Sequence, residues 1–479
     1  MRKTKIVCTM GPATDNPEVL KNLMLAGMNV GRINFSHGNY KDQDGRVKMF
    51  KKVRDELGLP IPLLLDTQGP EIRIGKFGCD EAVLENGAEF TLLNDDVLGD
   101  DTKVSITYKN LYNEIDIGRT ILVNDGTIEL KVKDIVGKDI VCEVIQGGKL
   151  TNRKSINIPD FIVNLPGITA KDIEDIKYGI EAGFDYIAAS FIRKPQDVLE
   201  IREVLKENNG EHMKIISKIE NREGIDNFDE ILKVSDGIMI ARGDLGVEIP
   251  MEEVPIYQKL FIKKTYTQGK PVIIATQMLE SMITNPRPTR AEVSDVANAI
   301  FDGTSAIMLS GETATGMFPI ECVKTMSKIA LAVEKSLKYW KRFRNRQYNL
   351  KEMDYEFNMA YAVCGTAESI DAKAIVSYTY TGDTPRKAAS FGPGCPVFAI
   401  TQNPITYRQL GLCWNIEPRL FEPQESIDEL LRVGVMGLRE EKQILKGERI
   451  VVTGGSKALI NLCPEDACLN SAIGGIVEI

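Results

Sequence analysis

The residues with the clearest capacity for chemistry lie in the segment 214–221, Lys-Ile-Ile-Ser-Lys-Ile-Glu-Asn. Lys218 and Glu220 stand two positions apart at the end of an apolar run, and strand alternation aims both side chains the same way. A second acid, Asp244, follows another apolar run, residues 237–240, that reads as a buried strand. Two acids and a lysine at strand ends suit a metal-assisted phosphate site. A hard cation such as Mg2+ takes carboxylate and substrate oxygens, while the lysine neutralises charge on a transferred group. Taken singly, a Lys-x-Glu is equally compatible with surface charge beside a core strand. The recurrence of such punctuation along the chain argues for a site.

Further polar groups fall in similar places. In the stretch 31–38, Gly-Arg-Ile-Asn-Phe-Ser-His-Gly, alternation sends Arg32, Asn34 and Ser36 to one side. The planar fork of an arginine there fits a phosphate. His37 is one of only two histidines, and it reads equally well as a hydrogen-bonded structural imidazole or as an acid/base group. Residues 65–73, Leu-Asp-Thr-Gln-Gly-Pro-Glu-Ile-Arg, add the oxygens of Asp66 and Thr67 beside a second arginine, Arg73. Thr276 and Glu312 also come just after apolar runs.

These residues need elements to hold them. Eight apolar, β-rich runs occur at residues 6–8, 28–33, 61–65, 186–190, 214–219, 237–240, 272–275 and 305–309, with helical patterns between them such as 17–26, 172–182, 195–207 and 251–268. Eight βα units predict a (β/α)8 barrel, in which chemistry gathers at the C-terminal ends of the strands. Asn34, Asp66, Lys218, Glu220, Asp244, Thr276 and Glu312 all sit there.

The spacing breaks between the third and fourth runs. Residues 71–165 carry short alternating segments with Gly and Asn-Asp turns, which predict an inserted all-β domain between barrel parts 1–70 and 166–345. Its ends, 67–70 and 164–167, have the composition of hinges, so the insert reads as a lid over the barrel mouth or as a rigid decoration. The basic run 335–346 reads as a linker helix or interface with a solvated face. Residues 346–479 return to alternating helix and strand, predicting a third, open-sheet α/β domain with a helix from Pro385 and a closing strand at 476–479.

Composition bounds the function. The chain has 479 residues, enough for about three domains. Its net charge of −9, from 59 basic and 68 acidic residues, argues against a nucleic-acid or membrane-surface binder. No apolar run reaches the ~18–20 residues that span a bilayer, and the start is too short in apolar length for a signal peptide. Nine scattered cysteines show no metal spacing and read as free thiols, Cys463 and Cys468 included. A cytoplasmic protein is expected.

At this point the chain resembles the pyruvate kinase family. The matching blocks are residues 32–38, 66–73, 217–221, 241–246 (Ala-Arg-Gly-Asp-Leu-Gly), 275–282 (Ala-Thr-Gln-Met-Leu-Glu-Ser-Met) and 309–313 (Leu-Ser-Gly-Glu-Thr), which spread over the whole barrel. The resemblance implies a barrel with a β-barrel lid and a C-terminal α/β domain, and transfer of the phosphoryl group of phosphoenolpyruvate to ADP. By position, Glu220 and Asp244 match Mg2+ (or Mn2+) ligands. Lys218 matches the residue that stabilises the transferring phosphoryl group, and Arg32 a phosphate-binding arginine. Gly243 and Asp244 match the receiver of the substrate carboxylate, and Thr276 a substrate contact near the carbon that must be protonated. A threonine is too weak an acid to act alone, so a water or relay with Ser310 and Glu312 is expected. Asn34, His37, Arg73 and Lys154 match nucleotide contacts.

The resemblance also implies a K+ site from Asn34, Ser36, Asp66 and Thr67. Family members independent of K+ carry a lysine where this chain has Glu71, and an unpaired carboxylate beside phosphates would be repulsive without a nearby cation. Thr379, Thr381 and Thr384 match the family's effector-phosphate loop, which implies a sugar-phosphate or nucleotide effector; a plain strand-helix turn is the alternative. A homotetramer is implied as well. Two stretches depart from the family pattern. Lys154-Ser155-Ile156-Asn157 replaces Lys-Gly-Val-Asn, and a divergent run from Ser456 to Asp466 replaces a glycine- and serine-rich loop. Three other readings compete. A lyase or aldolase would hold the same enolate but needs no nucleotide contacts. A dikinase needs a phosphocarrier histidine, for which only His37 and His212 exist. A degenerate, non-catalytic barrel should have lost one of Lys218, Glu220 or Asp244, and all three are present.

Overall fold

The structure, a computed structural model, describes residues 1–36, 38–346, 348–424, 427–454 and 473–478. Eight parallel strands close into a barrel: β1 (Lys5–Thr9), β2 (Val30–Asn34), β3 (Leu63–Asp66), β4 (Tyr186–Ala189), β5 (Lys214–Ile219), β6 (Gly237–Ala241), β7 (Val272–Ala275) and β8 (Ala306–Leu309). Each overlaps one of the eight apolar runs. Side chains of these strands are buried on both faces, which is why the runs are continuous rather than alternating. Helices return the chain between strands, and their ends carry the signals that a sequence can show. Asn16 caps Pro17–Ala26 through bonds from the N–H groups of Glu18 and Val19. Thr169 with Asp172, and Thr289 with Glu292, form capping boxes on Ala170–Glu181 and Arg290–Asp302.

The insert is a seven-stranded sheet plus a two-stranded one, Glu81–Leu84 with Gly148–Thr151, around its own core of Phe90, Leu92, Ile121, Leu130 and Ile140. Its longer strands alternate buried and exposed residues, as a small sheet wrapped on one core must. It meets the barrel through Arg222–Asp160 at 3.0 Å, Asn157 Nδ2 to Glu248 Oε1 at 2.8 Å, and Arg193 donating to the carbonyls of Val163, Leu165 and Pro166.

The C-terminal sheet has the order Ile416–Leu420, Val397–Thr401, Ala374–Tyr378, Arg449–Gly454, Ile473–Glu478, all parallel except the last strand. Two expectations are corrected here. The strand Ile416–Leu420 was hidden by its polar and proline residues, and the helix expected from Pro385 begins at Asp383 after a left-handed Gly382. This domain docks on the barrel's N-terminal face. Lys5 Nζ meets Glu417 at 3.2 Å, the hydroxyl of Tyr186 donates to Gln409 O at 2.7 Å, and Arg408 pairs with the buried Asp185 at 2.8 Å. Leu412 goes further and joins the cluster inside the barrel with Val7, Leu64, Met239 and Met308. The face that carries the strands' C-terminal ends is left to the insert.

Among the described residues the seven cysteines are unpaired, and no helix is long and apolar enough to cross a membrane. Cys463, Cys468 and the divergent run to Asp466 lie outside the described residues.

Two glycines test the fold with opposite signs. Gly45 is exposed in the helix Tyr40–Leu57 with nothing within 4 Å of an added Cβ, so Gly45→Ala is expected to stabilise by about 0.5–1 kcal/mol. Gly69, where the chain leaves for the insert, has φ +75°, and a Cβ there would stand 2.8 Å from that of Ser190. Gly69→Ala should destabilise by more than ~1 kcal/mol in chemical denaturation. It should also lower kcat, because Ser190 contacts Lys218.

Candidate active site at the strand ends

The C-terminal ends of β2, β3, β4 and β5 converge on one buried cluster of charge. Asp66, the last residue of β3, is fully buried and accepts from Arg32 Nε at 2.6 Å and from Lys218 Nζ at 3.2 Å. Burial opposes its charge, but Arg32 and Lys218 outweigh that and hold its carboxyl below the ordinary carboxylate range. Arg32 also donates through Nη1 to the Thr9 hydroxyl at 3.0 Å. That leaves part of its guanidinium fork uncommitted.

Lys218 is held on three sides: by Asp66, by the Ser190 hydroxyl at 2.8 Å and by Glu220 Oε1 at 2.9 Å. Burial works against its ammonium, yet Asp66, Glu220 and Asp244 together raise its pKa. It is therefore a permanent cation. Glu220 is fully buried. Its Oε2 accepts from the Phe191 N–H at 2.6 Å, and Phe191 reaches that position with a left-handed φ of +55°. Its Oε1 faces Lys218 outside hydrogen-bond alignment and has no other partner. Burial, reinforced by Asp244 and opposed by Lys218, pushes the Glu220 carboxyl up to about 7. A buried carboxylate oxygen without a hydrogen bond, with a second carboxylate close enough to disfavour its ionisation, is a donor set that a divalent cation would relieve. Among the described residues no three His, Cys, Asp or Glu side chains form a metal-holding group. Such an ion would take just these two carboxylates, with its remaining oxygens from elsewhere.

On the opposite rim, Thr276 follows β7 with φ +70°. Its hydroxyl accepts from Gly243 N at 2.8 Å and donates to Ala275 O at 2.6 Å, and its carbonyl accepts from Arg242 Nη2 at 2.7 Å. Arg242 is tied in turn to Asp295 at 2.7 Å. The Gly243 N–H, expected to face a substrate carboxylate, is thus engaged by the Thr276 hydroxyl in this structure. Asp244 lies half-buried in the first turn of Arg242–Glu248. Glu312 is buried and binds the N–H groups of Ser310 at 2.6 Å and Leu279 at 3.0 Å, while the Ser310 hydroxyl has no partner.

The proposed monovalent-ion ligands cluster around the same carboxylate. Asn34 ends β2 beside Asp66 in register, and its Oδ1 accepts from Ser36 N at 3.0 Å. The Thr67 hydroxyl accepts from Ser190 N at 3.1 Å. Glu71 is corrected: it is not unpaired, because Arg73 binds it at 2.6 Å. Burial still raises its pKa, Arg73 opposes this, and Asp244 and Lys218 are near enough to act on it, which places Glu71 at the mouth of the site. Ser155 pairs with Arg73 across the insert, and Ile74 N donates to Lys154 O at 2.9 Å, so Arg73 and Lys154 stand on adjacent strands. Below them a cleft of about 1000 Å³, partly open to solvent, separates insert and barrel and is lined by Glu71, Asn157, Phe191, Arg193 and Glu248. His37 lies outside the described residues.

Thr379, Thr381 and Thr384 sit far from this cluster, in the C-terminal domain. Thr379 is buried with its hydroxyl accepting from Gly382 N at 2.8 Å, Thr381 donates to Asp383 Oδ2 at 2.6 Å, and Thr384 is inside the helix Asp383–Ser390. Sequence reasoning assigned no role to Ser190, Thr9, Phe191 or Arg242. Ser190 stands at the end of a barrel strand, directly after Ala189, and the rule that picked out Asp66 applies to it as well. The others act through strand register and backbone conformation.

Comparison with known proteins agrees with this geometry. Residues 1–323 match the family model for the pyruvate kinase barrel domain, and residues 358–462 that for the pyruvate kinase alpha/beta domain. A pyruvate kinase of Clostridium acetobutylicum is 46% identical over 456 residues, covering 95% of this chain and 96% of its own. One of Staphylococcus aureus is 47% identical, covering 95% of this chain and 78% of its own. The crystal structure of a pyruvate kinase from Cryptosporidium parvum superposes with a TM-score of 0.91 at 35% identity, covering 100% of this chain and 96% of that one. With both family domains matched in order and relatives aligned over nearly its full length, the chain belongs to the pyruvate kinase family, and it is a phosphotransferase.

Proposed function

We propose that the chain transfers the phosphoryl group of phosphoenolpyruvate to ADP, giving pyruvate and ATP in glycolysis, with Lys218, Arg32 and Thr276 at the reacting groups. The observation that carries this reading is the buried ammonium of Lys218, fixed within 3.2 Å of Asp66, Ser190 and Glu220. The P–O bond to the enol oxygen breaks as an ADP phosphate oxygen bonds to phosphorus. Negative charge shared between donor and acceptor oxygens at that moment meets a cation that needs no reorganisation. Arg32 orients the phosphoryl oxygens with its remaining N–H donors. Glu220 and Asp244 would hold Mg2+ or Mn2+, which supplies Lewis-acid charge to the phosphate oxygens when bound.

The enolate left behind takes a proton on carbon. Thr276 has its hydroxyl committed in both directions, so it orients substrate or a water rather than giving up its own proton, and Ser310, whose hydroxyl makes no hydrogen bond among the described residues, would join it in the relay with Glu312. Substrate carboxylate is received at the first turn of Arg242–Glu248, by the backbone N–H groups of Gly243 and Asp244. Asn34, His37, Arg73 and Lys154 contact the nucleotide. The insert, residues 71–165, acts as a lid that hinges at 67–70 and 164–167 and excludes water from the donor. The reading also includes a homotetramer, a cytoplasmic location, and an effector phosphate or nucleotide at the loop of Thr379, Thr381 and Thr384.

The roles separate in two measurements. Lys218→Met is expected to lower kcat by at least ~100-fold with a much smaller change in phosphoenolpyruvate KM, because its charge acts in the transition state. Near-normal ADP phosphorylation in that variant would remove Lys218 from the mechanism.

The K+ site of Asn34, Ser36, Asp66 and Thr67 predicts strong activation by K+ over Na+ at fixed ionic strength. Glu71→Lys should partly restore K+-free activity even though it also releases Arg73. Full wild-type activity with tetramethylammonium as the sole monovalent cation would refute the K+ site and leave the divalent site untouched.

A further inference from the structure

The basic run 335–346, expected to be a linker helix or an interface, lies between the barrel and the C-terminal domain. Its helix, Tyr339–Asn345, buries Phe343 and turns Arg342 and Arg346 into a cleft between the barrel and the C-terminal domain. The cleft encloses about 690 Å³, part of it open to solvent. Lys270 enters from the barrel side and Arg386 from the helix Asp383–Ser390, with Tyr339 and Trp414 among the walls. No carboxylate lines it. Arg386 is neutralised by Asp383, which lies in the adjoining cavity. Arg342 and Arg346 form no ion pair with an acid among the described residues, in a chain whose net charge is −9, while Lys270 lies within the influence of Asp236.

The two helix arginines are held in place by neutral contacts. The Arg346 guanidinium lies over the Tyr266 ring, 4.6 Å from its centroid, and Arg342 Nη1 donates to Phe301 O at 3.2 Å. Lys270 donates to Leu232 O at 2.5 Å and Lys233 O at 3.2 Å. Burial chiefly, opposed by Asp236 and helped by Arg202 and Arg386, lowers its pKa to about 8. The cleft is thus a concentration of fixed positive charge with spare N–H donors, in which Arg342 and Arg346 carry the excess over the nearby Asp383 and Asp236.

We propose that this interdomain cleft binds a small phosphate-bearing dianion, gripped by Arg342, Arg346 and Arg386 and bridging the barrel to the C-terminal domain. Arginine forks match phosphate oxygens two by two, and the half-buried setting strengthens each contact over its value in water. Inorganic phosphate and small phosphate esters share this chemistry. The site is distinct from the loop of Thr379, Thr381 and Thr384, although Arg386 and Asp383 stand on the helix that follows that loop.

The full-length enzyme tests this directly. Its two tryptophans are Trp340, on the cleft's helix, and Trp414, on its wall. Titration with inorganic phosphate, and separately with glycerol phosphate, at constant ionic strength should give a saturable change in tryptophan fluorescence. Tighter binding of glycerol phosphate would identify the ester as the ligand, and equal binding the phosphate group alone. Arg346→Gln should weaken binding by about tenfold or more, with kcat in phosphate-free buffer unchanged. Ser390→Glu, which keeps every arginine and adds a carboxylate to the lining, should do the same, and it decides the matter if Arg346→Gln loses its fold by circular dichroism. No saturable change in the wild type, or the same isotherm in wild type and Ser390→Glu, overturns the proposal.

Discussion

The structure depends on the burial of one carboxylate, Asp66, between Arg32 and Lys218. Removing a single partner from such a buried group costs about 3–5 kcal/mol, because the remaining charge has no water to turn to. Four strands bring the members together, so the charges are only as well placed as the barrel is well closed. With Glu220 included, the inner cluster holds two cations and two carboxylates. Asp244 at the edge tips the balance to negative, which suits a divalent cation, and that ion in turn restores attraction for a phosphate. Folding and chemistry thus share one electrostatic arrangement. Ser190 and Thr9 serve both, since each accepts from a cation of the cluster, Lys218 or Arg32, at a strand end.

A parallel barrel gives its two faces different work. The strand ends that carry chemistry point toward the inserted sheet, and the opposite ends are covered by the C-terminal domain through Lys5, Tyr186 and Asp185. Contacts on the insert side include the polar pairs Arg222–Asp160 and Asn157–Glu248, whereas the other face adds to its polar pairs a side chain, Leu412, that enters the barrel's apolar interior. The weaker junction is the one where a substrate must enter and leave.

Much of this was legible in the chain. Continuous apolar runs announced all eight barrel strands because strands buried on both faces have no polar side to show, and the rule that barrel chemistry follows strand ends located Asp66, Lys218, Glu220 and Thr276. What failed did so for identifiable reasons. The strand Ile416–Leu420 carries Glu417, Pro418 and Arg419 and so lacks the expected pattern. Glu71 was judged without its neighbour two residues on, although alternation along a strand places residues 71 and 73 on one face, where they pair. Nothing in the sequence says that the Thr276 hydroxyl bends back to the Gly243 N–H. The run 335–346 reads as a linker helix or an interface, and Tyr339, Trp340 and Phe343 interleaved with its arginines are the sign that one face is buried.

The barrel's interior is completed from outside its own sequence. Leu412 fills the same cluster as Val7, Leu64 and Met308, yet the last barrel strand ends at Leu309. During synthesis at ~5–20 residues per second, about 100 residues and ~5–20 s separate the two events. Through that interval a nascent barrel has every strand and an unstoppered floor, its apolar interior open at the base. The C-terminal domain is therefore the closing step of the barrel's own assembly as well as an appendage to it, and a ribosome that stalls in that window releases a chain whose hydrophobic floor is bare.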